Sequence, residues 1–125
     1  GVRDAPAIRE RWLRLALVRW ILHEEPQDIL SAWKMSIFTG RTHSTLIIQR
    51  TEIGLAHLGF MAEEKDEEAV SMLRDQMLLA WHMNPGSLIR VLHSRDRSLA
   101  MTRELIANTD PAALAEMEAW IEKLR

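Results

Sequence analysis

The positions of the four prolines constrain the fold of this chain more than any other sequence feature. Pro6 and Pro111 lie where a helix would make its first turn, Pro26 ends one helical pattern and opens the next, and Pro85 lies in a turn after a third pattern. Proline is tolerated at helix starts, where its missing N–H is not needed, and it disrupts helix interiors. All four prolines therefore fall at predicted helix boundaries, as expected of a chain built from helices.

Short polar residues and glycines supply the other boundaries. Asp4 and Asp110 are predicted N-caps, Ser94 or Asp96 caps a further helix, and Gly40 ends the second helix. Between these points apolar residues recur with the period of an α-helix. The predicted helices cover about residues 4–23, 26–40, 42–58, 63–83, 87–93, 96–108 and 110–124.

Length and spacing predict one domain. A chain of 125 residues, 47% of them hydrophobic, has the size of an ordinary single domain and can bury a substantial core. The predicted links are short, and no repeat of constant period is present. We therefore expect an all-α fold, a compact single-domain bundle of about six to seven short helices over residues 1–125.

One segment allows a second interpretation. The β-branched and apolar run at residues 45–48 has the composition of a strand, and residues 39–42 could form the turn of a hairpin. Gly40 followed by Thr42 equally suits the end of one helix and the start of another. Helix is the prediction, and strand is the alternative.

Composition excludes several classes of site. The chain has no cysteine, so disulfides, thiolate zinc sites and cysteine nucleophiles are excluded, and a reducing cytoplasm is the expected location. The most apolar stretch, residues 15–22, is too short to span a bilayer and contains Arg19, so no membrane partner and no signal peptide are expected. A net charge of -2 argues against binding polyanions by bulk charge, although a local basic face would be compatible with it.

Catalytic and cofactor motifs are also missing from the sequence. The sequence contains neither His-Glu-x-x-His nor Glu-x-x-His, the patterns that place two metal ligands on one face of a helix. The nucleophile motif Gly-x-Ser-x-Gly and both glycine-rich phosphate-binding patterns are absent. We therefore predict a protein that is not an enzyme and that needs no cofactor or metal.

The stretch of residues 29–50 resembles a helix-turn-helix, with Gly40 at the turn. Residues 35–51 contain no acidic side chain, and hydroxyl, amide and guanidinium groups follow the turn. Such groups contact phosphates and base edges in DNA-binding proteins. Arg41 and Thr39 stand where the motif usually has apolar residues. The resemblance implies a DNA-binding transcription regulator with a contact set of Arg41, Thr42, His43, Ser44, Thr45, Gln49 and Arg50.

Helix one suggests an interface. Its second half is apolar almost all the way round, which usually means burial on several sides. We interpret the five tryptophans mainly as core residues, but helix one carries more apolar surface than a surface helix uses. The sequence therefore predicts a homodimer interface at Trp12, Leu17, Trp20 and Ile21.

An alternative function involves no nucleic acid. Most of the seven methionines are expected to fill the core, but a flexible, methionine-rich surface can also accept a segment of a partner. Together with the apolar helix one, this favours a protein-binding adaptor or chaperone-like module as the second interpretation.

Overall fold

The computed structural model describes the backbone of residues 5–40, 44–94 and 96–124, and their side chains except at positions 5–7, 9, 44, 45 and 96–98. Every regular element in these ranges is helical, which confirms the all-α prediction. The eight helices are α1 (Ala5–Ile21), α2 (Pro26–Gly40), α3 (Ser44–Ala56), α4 (Leu58–Glu63), α5 (Glu67–Met83), α6 (Pro85–His93), α7 (Asp96–Ile106) and α8 (Pro111–Lys123).

Side-chain caps account for several of the helix starts. Asp66 accepts a hydrogen bond from the backbone N–H of Ala69 at 3.0 Å, and Asp110 accepts one from Ala113 at 3.0 Å. Each carboxylate satisfies one of the N–H groups that have no partner within their own helix. The predicted cap at Asp110 is thereby confirmed, whereas the one predicted at Asp4 lies outside the described residues.

Two helix ends use non-glycine residues in the left-handed region. His23 and Lys65 both have a φ of 55°. At the first, His23 N–H donates to Trp20 O and Glu24 N–H donates to Arg19 O, which is the Schellman pattern of a helix C-terminus. The chain reverses there, so α1 and α2 form an antiparallel pair.

The helix boundaries differ from the predictions at three places. The helix predicted from residue 63 begins at Glu67 as α5, and Glu63 is the last residue of the preceding helix. Gly59 was expected to end the third helix, but α3 ends at Ala56 and a separate short helix, α4, follows it. Asn84 and Pro85 were expected to form a turn, whereas Asn84 caps α6 and Pro85 is its first residue. The strand alternative for residues 45–48 is wrong, because these residues lie in α3.

The core is built around α2, α3 and α5. One continuous cluster of buried side chains includes four residues that are 0% exposed, namely Trp33, Ile53, Leu73 and Met77. The tryptophan prediction holds fully only for Trp33. Trp12, Trp20 and Trp81 are partly buried against this cluster. Trp120 is 40% exposed.

Gly54 allows α3 to approach α5 and α2 closely. A Cβ placed on Gly54 would overlap Leu73 Cδ1 and lie 3.0 Å from Trp33 Cζ2. Both neighbours are fully buried, so neither can move aside freely. The absence of a side chain at Gly54 therefore permits this close packing.

We expect Gly54→Ala to lower the free energy of unfolding by about 1 to 2 kcal/mol. Overpacking costs about 1 to 3 kcal/mol, and the better helix propensity of alanine offsets up to about 1 kcal/mol of that. The matched control is Gly59→Ala, since nothing lies within 4 Å of a Cβ there. Urea denaturation should show the control unchanged or slightly stabilised, and equal behaviour of the two variants would contradict the packing described above.

Candidate functional site

The predicted DNA-contact segment lies at the junction of α2 and α3. Residues 41–43 are outside the described part of the chain, and so are the side chains at positions 44 and 45. Residues 44 and 45 themselves open α3. Within this set, the structure therefore gives side-chain positions only for Gln49, which is exposed, and Arg50, which is buried.

Arg50 points into the protein, where its guanidinium binds the last turn of α2. Its Nε donates to Ser36 Oγ at 3.1 Å, its Nη1 donates to Gly40 O at 2.7 Å, and its Nη2 donates to Ser36 O. Carbonyls at a helix C-terminus have no partner within the helix and carry partial negative charge. The guanidinium therefore caps α2 from α3.

A further hydrogen bond between the same two helices runs in the opposite direction, from α2 to α3. The indole Nε1 of Trp33 donates to the backbone carbonyl of Arg50 at 2.8 Å. Trp33 and Arg50 are both 0% exposed. In this fold Arg50 is thus a structural residue, and its assignment as a DNA-contacting residue is corrected: its donors are used internally and its side chain is closed to solvent.

We expect Arg50→Met to lower the free energy of unfolding by about 2 to 4 kcal/mol, because the acceptors at Ser36 and Gly40 lose a charged donor in a buried place. Chemical denaturation measures the change. The matched control is Arg90→Met, at an exposed position on α6, which should stay within about 0.5 kcal/mol of the parent. Equal stability of the two variants would show that Arg50 does not hold α2 and α3 together.

The outer face of α1 carries exposed apolar side chains close to the C-terminal end of that helix. Leu13 and Ala16 face the core and are 2% and 0% exposed. On the other side, Val18 is 44%, Ile21 is 72% and Leu22 is 66% exposed. α1 packs mainly on α2, so the expectation that it is buried on several sides is wrong.

The predicted dimer residues divide between the core and this outer face. Trp12, Leu17 and Trp20 are partly buried and pack against the core cluster, and Trp20 lies edge-on to the ring of His57 with 5.4 Å between centroids. Only Ile21 of the four is largely exposed.

We define the outer face of α1 as the residues Arg11, Arg14, Val18 and Ile21, with Leu22 directly after the helix end. Leu15 lies on the same side but is partly buried against the core cluster. Val18 and Leu22 were not selected from the sequence. The signal was present, because residues 11, 15, 18 and 22 recur every three or four positions and lie on the side of the helix opposite Leu13 and Ala16. What the sequence did not show is which side of α1 the next helix covers.

The methionines do not assemble into a groove. Met61, Met77 and Met117 are fully buried, and Met72 and Met101 are partly buried against the core, which confirms the prediction that most of the seven methionines fill the core. Met35 and Met83 are the exposed ones among the described residues, and they lie on α2 and at the end of α5.

The principal ionic cluster joins α2 to the start of α5. Lys34 Nζ lies 2.9 Å from Asp66 Oδ2 and 3.2 Å from Glu68 Oε1. Partial burial opposes the charge of Lys34, but the two carboxylates outweigh it and raise the pKa of Lys34. The hydrogen bond from Lys34 lowers the pKa of Asp66. These groups hold one another in their charged forms, which is typical of a structural ion pair.

Among the residues that the structure describes, the other polar clusters give no additional candidate site. The cleft of about 760 Å³ beside Asp66 is open to solvent. Arg103 of α7 binds Glu118 of α8 through Nε and Nη2, each at 3.2 Å. In the described ranges no group of three or more histidines and acidic residues is placed to hold a metal ion.

No described helix combines the length and the hydropathy that crossing a bilayer would require. A scan against protein-family models gives no match, and searches of curated proteins and of solved structures return no significant similarity.

Proposed function

We propose that this chain is a helical protein-interaction module that binds a protein partner through the outer face of α1. The observation that carries the proposal is the exposure of Val18, Ile21 and Leu22 next to one another on a single helix end. Scattered single apolar residues on a surface need no explanation, but a contiguous apolar patch commonly marks an interaction site.

Two further features support this function. Arg11 and Arg14 border the apolar residues on the same face, and an apolar centre with a charged rim is the usual composition of a protein interface. The Trp33–Arg50 hydrogen bond and the bonds from Arg50 to Ser36 and Gly40 hold α2, on which α1 packs, so the face is presented by an ordered support. A regulatory role as an adaptor in the cytoplasm, which the absence of cysteine suits, is part of the proposal.

A photo-cross-linking amino acid at position 22 tests the binding face. In cells that make the protein naturally, we expect a discrete protein adduct from position 22 and none from the same probe at Glu116, which is exposed on α8. The further substitution Val18→Glu should abolish the adduct, because a charge at the centre of the face would be desolvated on binding. Similar adducts from positions 22 and 116, or an adduct that survives Val18→Glu, would contradict the proposal.

DNA binding by a transcription regulator remains the second candidate. It is favoured by the helical start of α3 directly after α2 and by the exposure of Gln49, while Arg50 no longer contributes to it.

Its test is fluorescence anisotropy with random-sequence duplex DNA. A DNA-binding protein should bind at low salt, weaken steeply between about 50 and 200 mM salt, and bind less tightly as the double variant Arg41→Ala/Gln49→Ala. Absence of binding at low salt, or affinity that neither salt nor the double variant changes, would remove this candidate.

A further inference from the structure

The charges of α1 divide between those used inside the protein and those left at its surface. The helix contains four arginines and one glutamate, in a chain whose net charge is -2. Arg19 has an internal role, because its Nη1 donates to the backbone carbonyl of Asp28 at 2.8 Å. Arg11 and Arg14 are exposed, and within the described part of the chain neither makes a hydrogen bond or an ion pair. The outer face of α1 therefore carries two cationic groups that no described residue binds.

These two arginines lie in line with the exposed apolar residues rather than beside them. An α-helix turns by about 100° per residue, so positions 11, 14, 21 and 22 all fall within about 60° of Val18 around the axis. Leu22 continues the last turn, since its N–H donates to Val18 O at 2.9 Å. The face is therefore one stripe along the helix, cationic in its N-terminal half and apolar in its C-terminal half.

The stripe has the spacing and length of a contact with a second helix. Its members from Arg11 to Ile21 are three, four and three residues apart, which is the repeat along which two helices pack. At about 1.5 Å per residue, the stripe from Arg11 to Leu22 extends about 16 Å, or about three turns. A peptide that binds as a strand needs an exposed sheet edge, and the regular elements of the described residues are all helices. The shape therefore fits a helical occupant.

The same stripe is poorly matched to a lipid surface or to DNA. A helix that lies on a membrane buries an apolar face along its length and keeps its basic residues on the polar face. Because Arg11 and Arg14 share the apolar stripe, inserting Val18 into lipid would also draw their guanidinium groups towards the hydrocarbon. DNA phosphates would bind the arginines but leave Ile21 and Leu22 without an apolar contact. Both halves are matched by a partner that carries carboxylates and apolar side chains on one surface.

We infer that the segment bound by the outer face of α1 is an acidic amphipathic helix of the partner protein. Its carboxylates bind Arg11 and Arg14, and its apolar side chains cover Val18, Ile21 and Leu22. Guanidinium–carboxylate pairs are frequently bidentate and set the register of the two surfaces, while burial of the apolar half supplies the affinity. This inference rests on the proposed function, since it names the chemistry of the partner for the same surface.

A double charge reversal in the cross-linking experiment tests the inference. With the photo-cross-linking amino acid at position 22, we expect Arg11→Glu/Arg14→Glu to reduce the adduct at least about ten-fold, because two attractive pairs become repulsive. The matched control is Arg90→Glu/Lys123→Glu, at exposed positions on α6 and α8. It makes the same change in net charge and should leave the adduct unchanged. Thermal unfolding verifies that both variants are folded.

Sequencing the cross-linked partner peptide gives a second readout. The peptide should contain acidic residues together with apolar residues three or four positions apart, and a synthetic copy should bind the parent in fluorescence anisotropy. A copy with its acidic residues changed to lysine should bind Arg11→Glu/Arg14→Glu at least about ten-fold more tightly than it binds the parent, because the signs are then opposite again. A cross-linked segment that lacks acidic residues would overturn the inference.

Vesicles of phosphatidylserine and phosphatidylcholine provide a separate test of lipid as the occupant. The parent should stay in the supernatant when the vesicles are sedimented. Vesicle binding that Val18→Glu abolishes would overturn the inference, because lipid would then occupy the face.

The outcomes also separate the inference from the proposed function. An adduct at position 22 that survives Arg11→Glu/Arg14→Glu but not Val18→Glu leaves the binding face standing and overturns only the acidic helix as its occupant. If the parent gives no adduct at position 22, both the proposed function and the inference are overturned.

Discussion

The hydrogen bonds between Arg50 and the C-terminal turn of α2 are the interaction on which the rest of the structure depends. A buried guanidinium is stabilised only when its donors are satisfied, and the carbonyl of Gly40, the last residue of α2, has no partner within its own helix. Each group therefore supplies what the other lacks. Trp33 adds a bond in the opposite direction, and together these contacts fix α3 relative to α2.

The other helices assemble on this pair. Gly54 lets α5 approach α3, and α1 packs along α2 after the reversal at His23. A similar device joins α5 to α7, where Arg74 Nε donates to the carbonyl of Leu105 in the last turn of α7 at 2.7 Å. Arginine thus ties the ends of two helices to their neighbours. The functional consequence is that Arg50 is used internally, while the apolar and charged outer face of α1 is left available.

Much of the fold followed from local rules. Proline and aspartate act through the backbone of their own helix, so the starts of α2 and α8 could be predicted without knowledge of the neighbouring helices. The short helix α4 was missed because a glycine commonly marks the end of a helix. Gly59 instead lies inside α4, and a Cβ placed on it would have open space around it. The split between α3 and α4 has no comparable local signal.

The candidate site was harder to predict, because it depends on which side chains meet across helices. Arg50 follows a polar and basic segment, and the sequence shows its charge but not the distant carbonyls that accept its hydrogen bonds. Likewise, the apolar composition of α1 indicated more apolar surface than one packing contact would bury. Only the position of α2 shows that Trp12 and Trp20 face inward while Val18 and Leu22 remain exposed.

The most direct test of this account is the exchange of arginine Nε–H protons with water, followed by NMR. Arg50 should give a slowly exchanging Nε–H signal at neutral pH, since that proton is buried and bonded to Ser36 Oγ. Arg11 and Arg14, exposed on α1, should exchange rapidly in the monomer. An Arg50 Nε–H that exchanges as fast as theirs would contradict the central claim that this residue holds α2 and α3 together.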